Sequence, residues 1–154
     1  RPEYEGTPWN HACAAARVRD FHKDMVQVGI RSQDAHERRV IDSENIPCFY
    51  AHSIYEKERA GVDWVGEVIA ATKQRVYITF DCDVFDPSII SATGTPEPGG
   101  LTWYQLDTLF ARLFREREVV GMDISELSPI PGQTVSEFTI ARLIHRLIGY
   151  RFQN

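Results

Sequence analysis

Residues 76–87 read Val-Tyr-Ile-Thr-Phe-Asp-Cys-Asp-Val-Phe-Asp-Pro. β-Branched and aromatic residues fill the first half, so the run predicts a strand over residues 75–81. The strand delivers Asp81 at its carboxyl end, with Asp83 two residues on. A loop containing Gly94, Pro96, Pro98, Gly99 and Gly100 follows; proline fixes its backbone at some points and glycine frees it at others. On either side the chain alternates strand-like and helix-like segments. Such alternation points to an α/β protein: a three-layer αβα arrangement with a mostly parallel sheet, here of about four strands. In such sheets ligands bind at the carboxyl ends of the strands. Asp81, Asp83, Asp123 and Glu126 all fall at such ends.

The remaining elements follow from caps and periodicity. Asn10 is placed to cap a helix from His11 to about Phe21. Residues 25–31 predict a short strand. Ser32 is placed to cap a charged helix reaching about Asp42. Residues 46–50 predict an edge-like strand, because Pro47 lacks a donor for a ladder. Residues 54–73 read as mainly helical, with Val62, Val65, Val68 and Ile69 at helix spacing. Thr102 heads an amphipathic helix that turns Leu106, Leu109, Phe110, Leu113 and Phe114 to one side. Residues 119–125 predict another strand. A last helix is capped by Ser136, with Phe138, Ala141, Ile144 and Ile148 expected inward.

With 154 residues the chain is read as one domain over residues 1–154. Its net charge of −5 argues against a nucleic-acid binder, which normally shows a basic face. No apolar run approaches the roughly 20 residues that span a bilayer, so no membrane partner is expected. No signal-peptide pattern is visible, and the expectation is a cytoplasmic protein. Cys13, Cys48 and Cys82 are odd in number and show no CxxC spacing, which reads as reduced, buried thiols.

Each chemical motif has a second reading. Asp81 and Asp83, at i and i+2, share one side of a strand, and two close carboxylates repel unless a cation or proton intervenes. They read either as divalent-metal ligands or as an Asp-rich turn leading into Asp86-Pro87. Glu126 reads either as a bidentate partner for a planar guanidinium or as a salt-bridged loop acid. His11 reads either as a proton shuttle or as a packing histidine. His22, His36, His52 and His145 sit in charged or amphipathic stretches and read as structural. No GxGxxG or GxxxxGK[ST] occurs, so a nucleotide reading has no support, and without a GxSxG elbow or a Cys–His pairing signal covalent nucleophilic catalysis is disfavoured. The strand followed by DxDxV also fits a haloacid-dehalogenase-type phosphotransferase. That chemistry needs a downstream lysine, and none occurs after Lys73.

Several motifs taken together resemble the arginase/agmatinase (ureohydrolase) family, most closely its agmatinase branch. They are Phe80-Asp-Cys-Asp-Val-Phe-Asp-Pro87, Ala92-Thr-Gly-Thr-Pro-Glu-Pro-Gly-Gly-Leu-Thr102 and Gly121-Met-Asp-Ile-Ser-Glu-Leu-Ser-Pro129. Tyr4-Glu-Gly, Asn10-His-Ala and Val28-Gly-Ile-Arg-Ser32 fall in the family's order. The resemblance implies hydrolysis of a small guanidino compound to urea and an amine at a site of two Mn²⁺ ions. It assigns Asp81 and Asp83 as metal ligands, Glu126 to the substrate guanidinium and His11 as proton shuttle. It also implies a partial arginase/deacetylase-type fold and a homo-oligomer. The family's first histidine ligand and its DAHxD motif have no counterpart here; Asp34-Ala-His36 has the wrong order and context. The resemblance therefore implies the carboxyl-terminal half of a ureohydrolase domain, with an incomplete ligand set and little activity alone. The alternative is a non-catalytic, truncated or degenerate ureohydrolase that acts only through association.

Overall fold

The computed structural model describes residues 1–152. The amino-terminal region folds as a 3₁₀ turn, His11–Cys13, running into α1 (Ala14–Phe21), strand β1 (Gln27–Ile30), α2 (Ala35–Ser43) and β2 (Cys48–Tyr50). Two helices follow, α3 (Ala51–Arg59) and α4 (Trp64–Ala71). Strand β3 (Arg75–Asp81) passes into a 3₁₀ turn, Cys82–Val84, and the long loop after it ends at α5 (Trp103–Glu116). The described chain closes with β4 (Glu118–Ser125) and α6 (Val135–Phe152).

The caps explain most boundaries. Asn10 accepts from the Ala12 amide, as expected. Asp34, not Ser32, caps α2, through a reciprocal capping box with Glu37. Its two acceptor oxygens out-compete a single hydroxyl placed two residues too early. The predicted helix over 54–73 is two helices. Gly61 at φ +72° ends the first, and Asp63 restarts the second by accepting from the Gly66 amide. Thr102 and Gln105 form the capping box of α5.

Both strand pairs are parallel, as the alternation required. β1 pairs with β2 and β3 pairs with β4, but no ladder joins the two pairs among the described residues. In the β3–β4 pair, Ile78 lies opposite Met122 and Phe80 opposite Ile124. Ile78 and Phe80 are buried beneath the helices, Phe80 meeting Phe110 of α5 at a centroid distance of 5.7 Å. All five α5 residues expected to face inward are buried. Period two then turns Tyr77, Thr79 and Asp81 to the opposite face, and all three are exposed.

The last helix differs from expectation. Its buried residues are Ser136, Ile140, Leu143 and Leu147. Phe138 is 69% exposed and Ile148 51% exposed, and Ala141 and Ile144 also face outward. The helix is apolar over two stripes, and α5 covers the one that periodicity did not single out. Ser136 is not the cap but a buried residue whose hydroxyl accepts from the Ala92 amide at 3.3 Å.

An acidic cluster at the strand ends

Asp81 and Asp83 do not continue one strand, so strand alternation does not describe their placement. The strand stops at Asp81, and residues 82–84 turn as a 3₁₀ segment. Between the two acids, Cys82 is fully buried. Burial, together with the negative charges of Asp81, Asp83 and Glu126, pushes its thiol up to about 11. Glu126, at the end of the neighbouring strand, therefore acts on the same buried sulfur as the two aspartates. Its backbone holds a left-handed φ of +65°, uncommon outside glycine, which marks a turn fixed by its surroundings.

Hydroxyl donors hold both aspartates. The Ser125 hydroxyl, opposite Asp81 in the β3–β4 register, donates to the Asp81 carboxylate. The Thr95 hydroxyl donates to Asp83 Oδ2 at 2.9 Å. Gly94 sits beside Glu126, so that a Cβ there would lie 3.9 Å from Glu126 Oε2. Ser128 donates its amide to the Ala92 carbonyl at 2.8 Å. The loop over residues 92–95 thus runs between the two strand ends and touches acids from both.

The rest of that loop is laced to the turn. Leu101 donates to the Val84 carbonyl at 2.8 Å, and Asp86 donates to the Leu101 carbonyl at 3.1 Å. Gly100 is required here, since a Cβ would stand 2.4 Å from the Asp86 amide nitrogen. The Asp86 carboxylate accepts from the Gly99 amide and from the amide and hydroxyl of Ser88. These bonds, the Ser88 hydroxyl first, hold its carboxyl below the usual range. Asp86 is thus a loop-fastening residue.

Arg31 was not singled out from sequence, yet it is the main clamp on this region. From the end of β1 its guanidinium donates to the carbonyls of Asp83 at 2.5 Å and Glu97 at 2.7 Å. Longer bonds reach the carbonyls of Phe85 and Gly29. One cation therefore ties β1 to both the acidic turn and the Pro/Gly loop. The available signal was a lone cation at the carboxyl end of a strand in a chain whose acids gather at the same level.

His11 is exposed in its 3₁₀ turn and meets the Tyr4 ring edge-on at 6.4 Å. No described hydrogen bond, ion pair or ring contact joins it to Asp81, Asp83 or Glu126. Asp123, the fourth strand-end acid, accepts from the Thr79 hydroxyl at 2.9 Å. Its hydrogen bond with Tyr77 raises that phenol. Among the described residues, no group of three or more His, Cys, Asp and Glu side chains is arranged to hold a metal ion. The donor set is two carboxylates, each already engaged by a hydroxyl, and it does not fit a binuclear cage without further ligands. No helix of the described residues is long and apolar enough to cross a membrane.

Parallel strands, helices on their buried face and acids converging at the carboxyl ends define an α/β protein with a strand-end acidic site. Comparison with known proteins is specific. The model of the arginase family matches residues 1–149. N(1)-aminopropylagmatine ureohydrolase of Synechocystis sp. is 40% identical over 151 residues, 97% of this chain and 48% of that one. Human Arginase-1 is 32% identical over 90% of the chain and 42% of its own length. The crystal structure of agmatine ureohydrolase of Thermoplasma volcanium superposes with a TM-score of 0.84 at 31% identity, over 98% of this chain and 50% of that one. The chain belongs to the arginase family. It carries part of that family's αβα fold and spans about half the length of the relatives it matches.

Proposed function

We propose that residues 1–154 are the carboxyl-terminal portion of a single ureohydrolase domain acting on a small guanidino compound in the cytoplasm. In the complete domain the guanidino group is cleaved to urea and an amine. What supports this is the placement of Asp81, Asp83 and Glu126 at the neighbouring ends of β3 and β4, with the 92–95 loop touching Asp83 and Glu126, in a family member. Matched relatives named aminopropylagmatine ureohydrolase, agmatinase and arginase support a guanidino compound as substrate, with agmatine, guanidinobutyrate and arginine as the candidates.

Asp81 and Asp83 supply part of the ligand set for a pair of Mn²⁺ ions, and the remaining donors come from outside these residues. No catalytic step is assigned to the chain alone. Glu126 meets the substrate cation, for which a carboxylate offers two parallel acceptors. His11 is the proton donor for the leaving amine. A second reading is a non-catalytic chain that acts through association; among the described residues no three-donor cluster is arranged to hold a metal ion.

The isolated chain is expected to bind Mn²⁺ weakly and to release no urea from agmatine. Mixed with the complementary half of the Synechocystis relative, it is expected to gain urea release that Asp81→Asn and Asp83→Asn abolish. Two manganese ions per complex by elemental mass spectrometry support the catalytic reading. A complex that forms without manganese or turnover supports the second. Full turnover by the isolated chain contradicts both.

A further inference from the structure

Arg31 closes a ring of bonds around the acidic turn. Its Nη2 donates to the Asp83 carbonyl at 2.5 Å. Nε and Nη2 both donate to the Glu97 carbonyl, at 3.0 and 2.7 Å. The Thr95 hydroxyl, two residues before Glu97, donates back to Asp83 Oδ2 at 2.9 Å. Two features of this ring call for a reason. A guanidinium beside an acidic cluster ordinarily takes a carboxylate, where charge strengthens the bond from both sides. Arg31 instead takes four main-chain carbonyls and no carboxylate among the described residues, although two of those carbonyls belong to Asp83 and Glu97. It also joins parts of the chain that no ladder joins among the described residues: it leaves the end of β1, and the turn it grips follows β3.

We propose that Arg31 is a positioning residue: its fork fixes where the Asp83 carboxylate and the Thr95 hydroxyl meet, and by directing its donors to carbonyls it leaves the carboxylates free to receive a cation. The step from placement to turnover rests on the guanidino-hydrolase reading above; the placement itself does not. The planar fork is what makes both roles possible. It grips the turn on one side and the Pro/Gly loop on the other, so the loop that reaches Asp83 through Thr95, and passes Glu126 at Gly94, is held at a set distance from the turn. A lysine at this position would keep the charge and lose the fork. Its compact ammonium would be drawn to the nearest carboxylate, neutralising an acid rather than aiming it.

The test uses the whole chain with Arg31→Ala and Arg31→Lys, and reads Cys82, which is fully buried inside the gripped turn. Native-state labelling by an aromatic disulfide reagent, located by peptide mass spectrometry, is expected to quicken at Cys82 by about tenfold in both variants, the effect of losing one hydrogen bond to a charged group. Cys13, equally buried but outside the turn, is expected to keep the parent rate. Amide exchange is expected to quicken at Leu101 and Gly99, whose bonds lace the loop to the turn, and not along β4. Ethylguanidinium at millimolar concentration is expected to restore protection of Cys82 in Arg31→Ala, and ethylammonium is not. A side chain that only adds stability would show no such rescue, since guanidinium ions loosen folded chains in general. Arg31→Lys keeps the stem and carries the labelling test if the alanine variant does not fold. In the mixture with the complementary half of the Synechocystis relative, Arg31→Lys is expected to lower kcat by about tenfold to a hundredfold with KM within about twofold. A parent mixture without turnover overturns the catalytic reading, while the labelling still decides the placement. Unchanged labelling of Cys82 overturns the proposal, as does an equal rise at Cys13 or equal rescue by the two ions. A loosened turn with kcat intact overturns the role of Arg31 in turnover.

Discussion

Gly29 is the point where β1 presses on the acidic turn, and its replacement by alanine tests that contact quantitatively. The residue has φ +83°, and a Cβ would stand 2.5 Å from Val84 Cγ2 and 3.5 Å from Leu101 Cδ1. Two penalties add. A left-handed backbone costs an L-residue roughly 1–2 kcal/mol. Forcing an extra carbon against a packed neighbour costs about 1–3 kcal/mol. Val84 cannot swing away freely, because its side chain packs on the core and its carbonyl receives the Leu101 amide. Alanine also stiffens the unfolded chain, which offsets about 0.4–1 kcal/mol. The net expectation for Gly29→Ala is a loss of about 2–4 kcal/mol, a large share of the 5–15 kcal/mol typical of a domain. Urea unfolding followed by tryptophan fluorescence measures it. The double-mutant cycle separates the terms. Val84→Ala alone removes about 1.5 kcal/mol of buried methyl contact at most, but in the Gly29→Ala background it relieves the clash. The coupling should therefore be about 1–3 kcal/mol in favour of the double variant, with the backbone strain left behind. Additivity to within about 0.5 kcal/mol would show that the two residues do not touch and refute the packing described for this corner.

Leu143→Ala should destabilise the isolated chain by about 2–5 kcal/mol, while Phe138→Ala should stay within about 0.5 kcal/mol; the reverse order in urea titrations would mean that the faces of α6 are assigned backwards. Asp63 accepts from the Gly66 amide and pairs with Arg112, and its carboxyl is held below the ordinary 3.8, by the amide first and the guanidinium second. Its contribution is therefore present above pH 3.8 and lost as pH falls through the lower folded-state value, so the gap in urea midpoint between Asp63→Asn and the parent should close on acidification. Of the three thiols, Cys48 alone is not fully enclosed. At pH 8 an aromatic disulfide reagent should label Cys48 first, whereas Cys82, raised to about 11, presents only about one thiolate in a thousand and waits for unfolding.

The elements legible from sequence are those whose signal is local. β3 was readable to the residue because five strand-formers, Val76 to Phe80, end on an aspartate. The cap and inner face of α5 were readable because one apolar stripe stands against a polar background. Where two local signals compete, the reading slips. Ser32 and Asp34 both suit a helix start, and only the return bond from Glu37 decides between them. In residues 54–73 the apolar spacing runs on across Gly61, although the backbone turns there.

The site is legible in its acids and opaque in its geometry, and the reason is chemical. Carboxylates at i and i+2 after an apolar run announce themselves by period two. Their arrangement, however, depends on backbone carbonyls, which have no letter in the sequence: Arg31 grips the carbonyls of Asp83 and Glu97 across 52 and 66 residues. The misreading of α6 has a related origin. Periodicity finds apolar stripes but cannot say which one a neighbour covers, and here both stripes are apolar while α5 covers one. An outward stripe of Phe138, Ile148 and Phe152 is therefore positive information: a sequence of ordinary composition has placed large apolar side chains where this chain alone gives them no partner. Among the described residues, the two sheets have two strands each and no group of three or more His, Cys, Asp and Glu side chains is arranged to hold a metal ion.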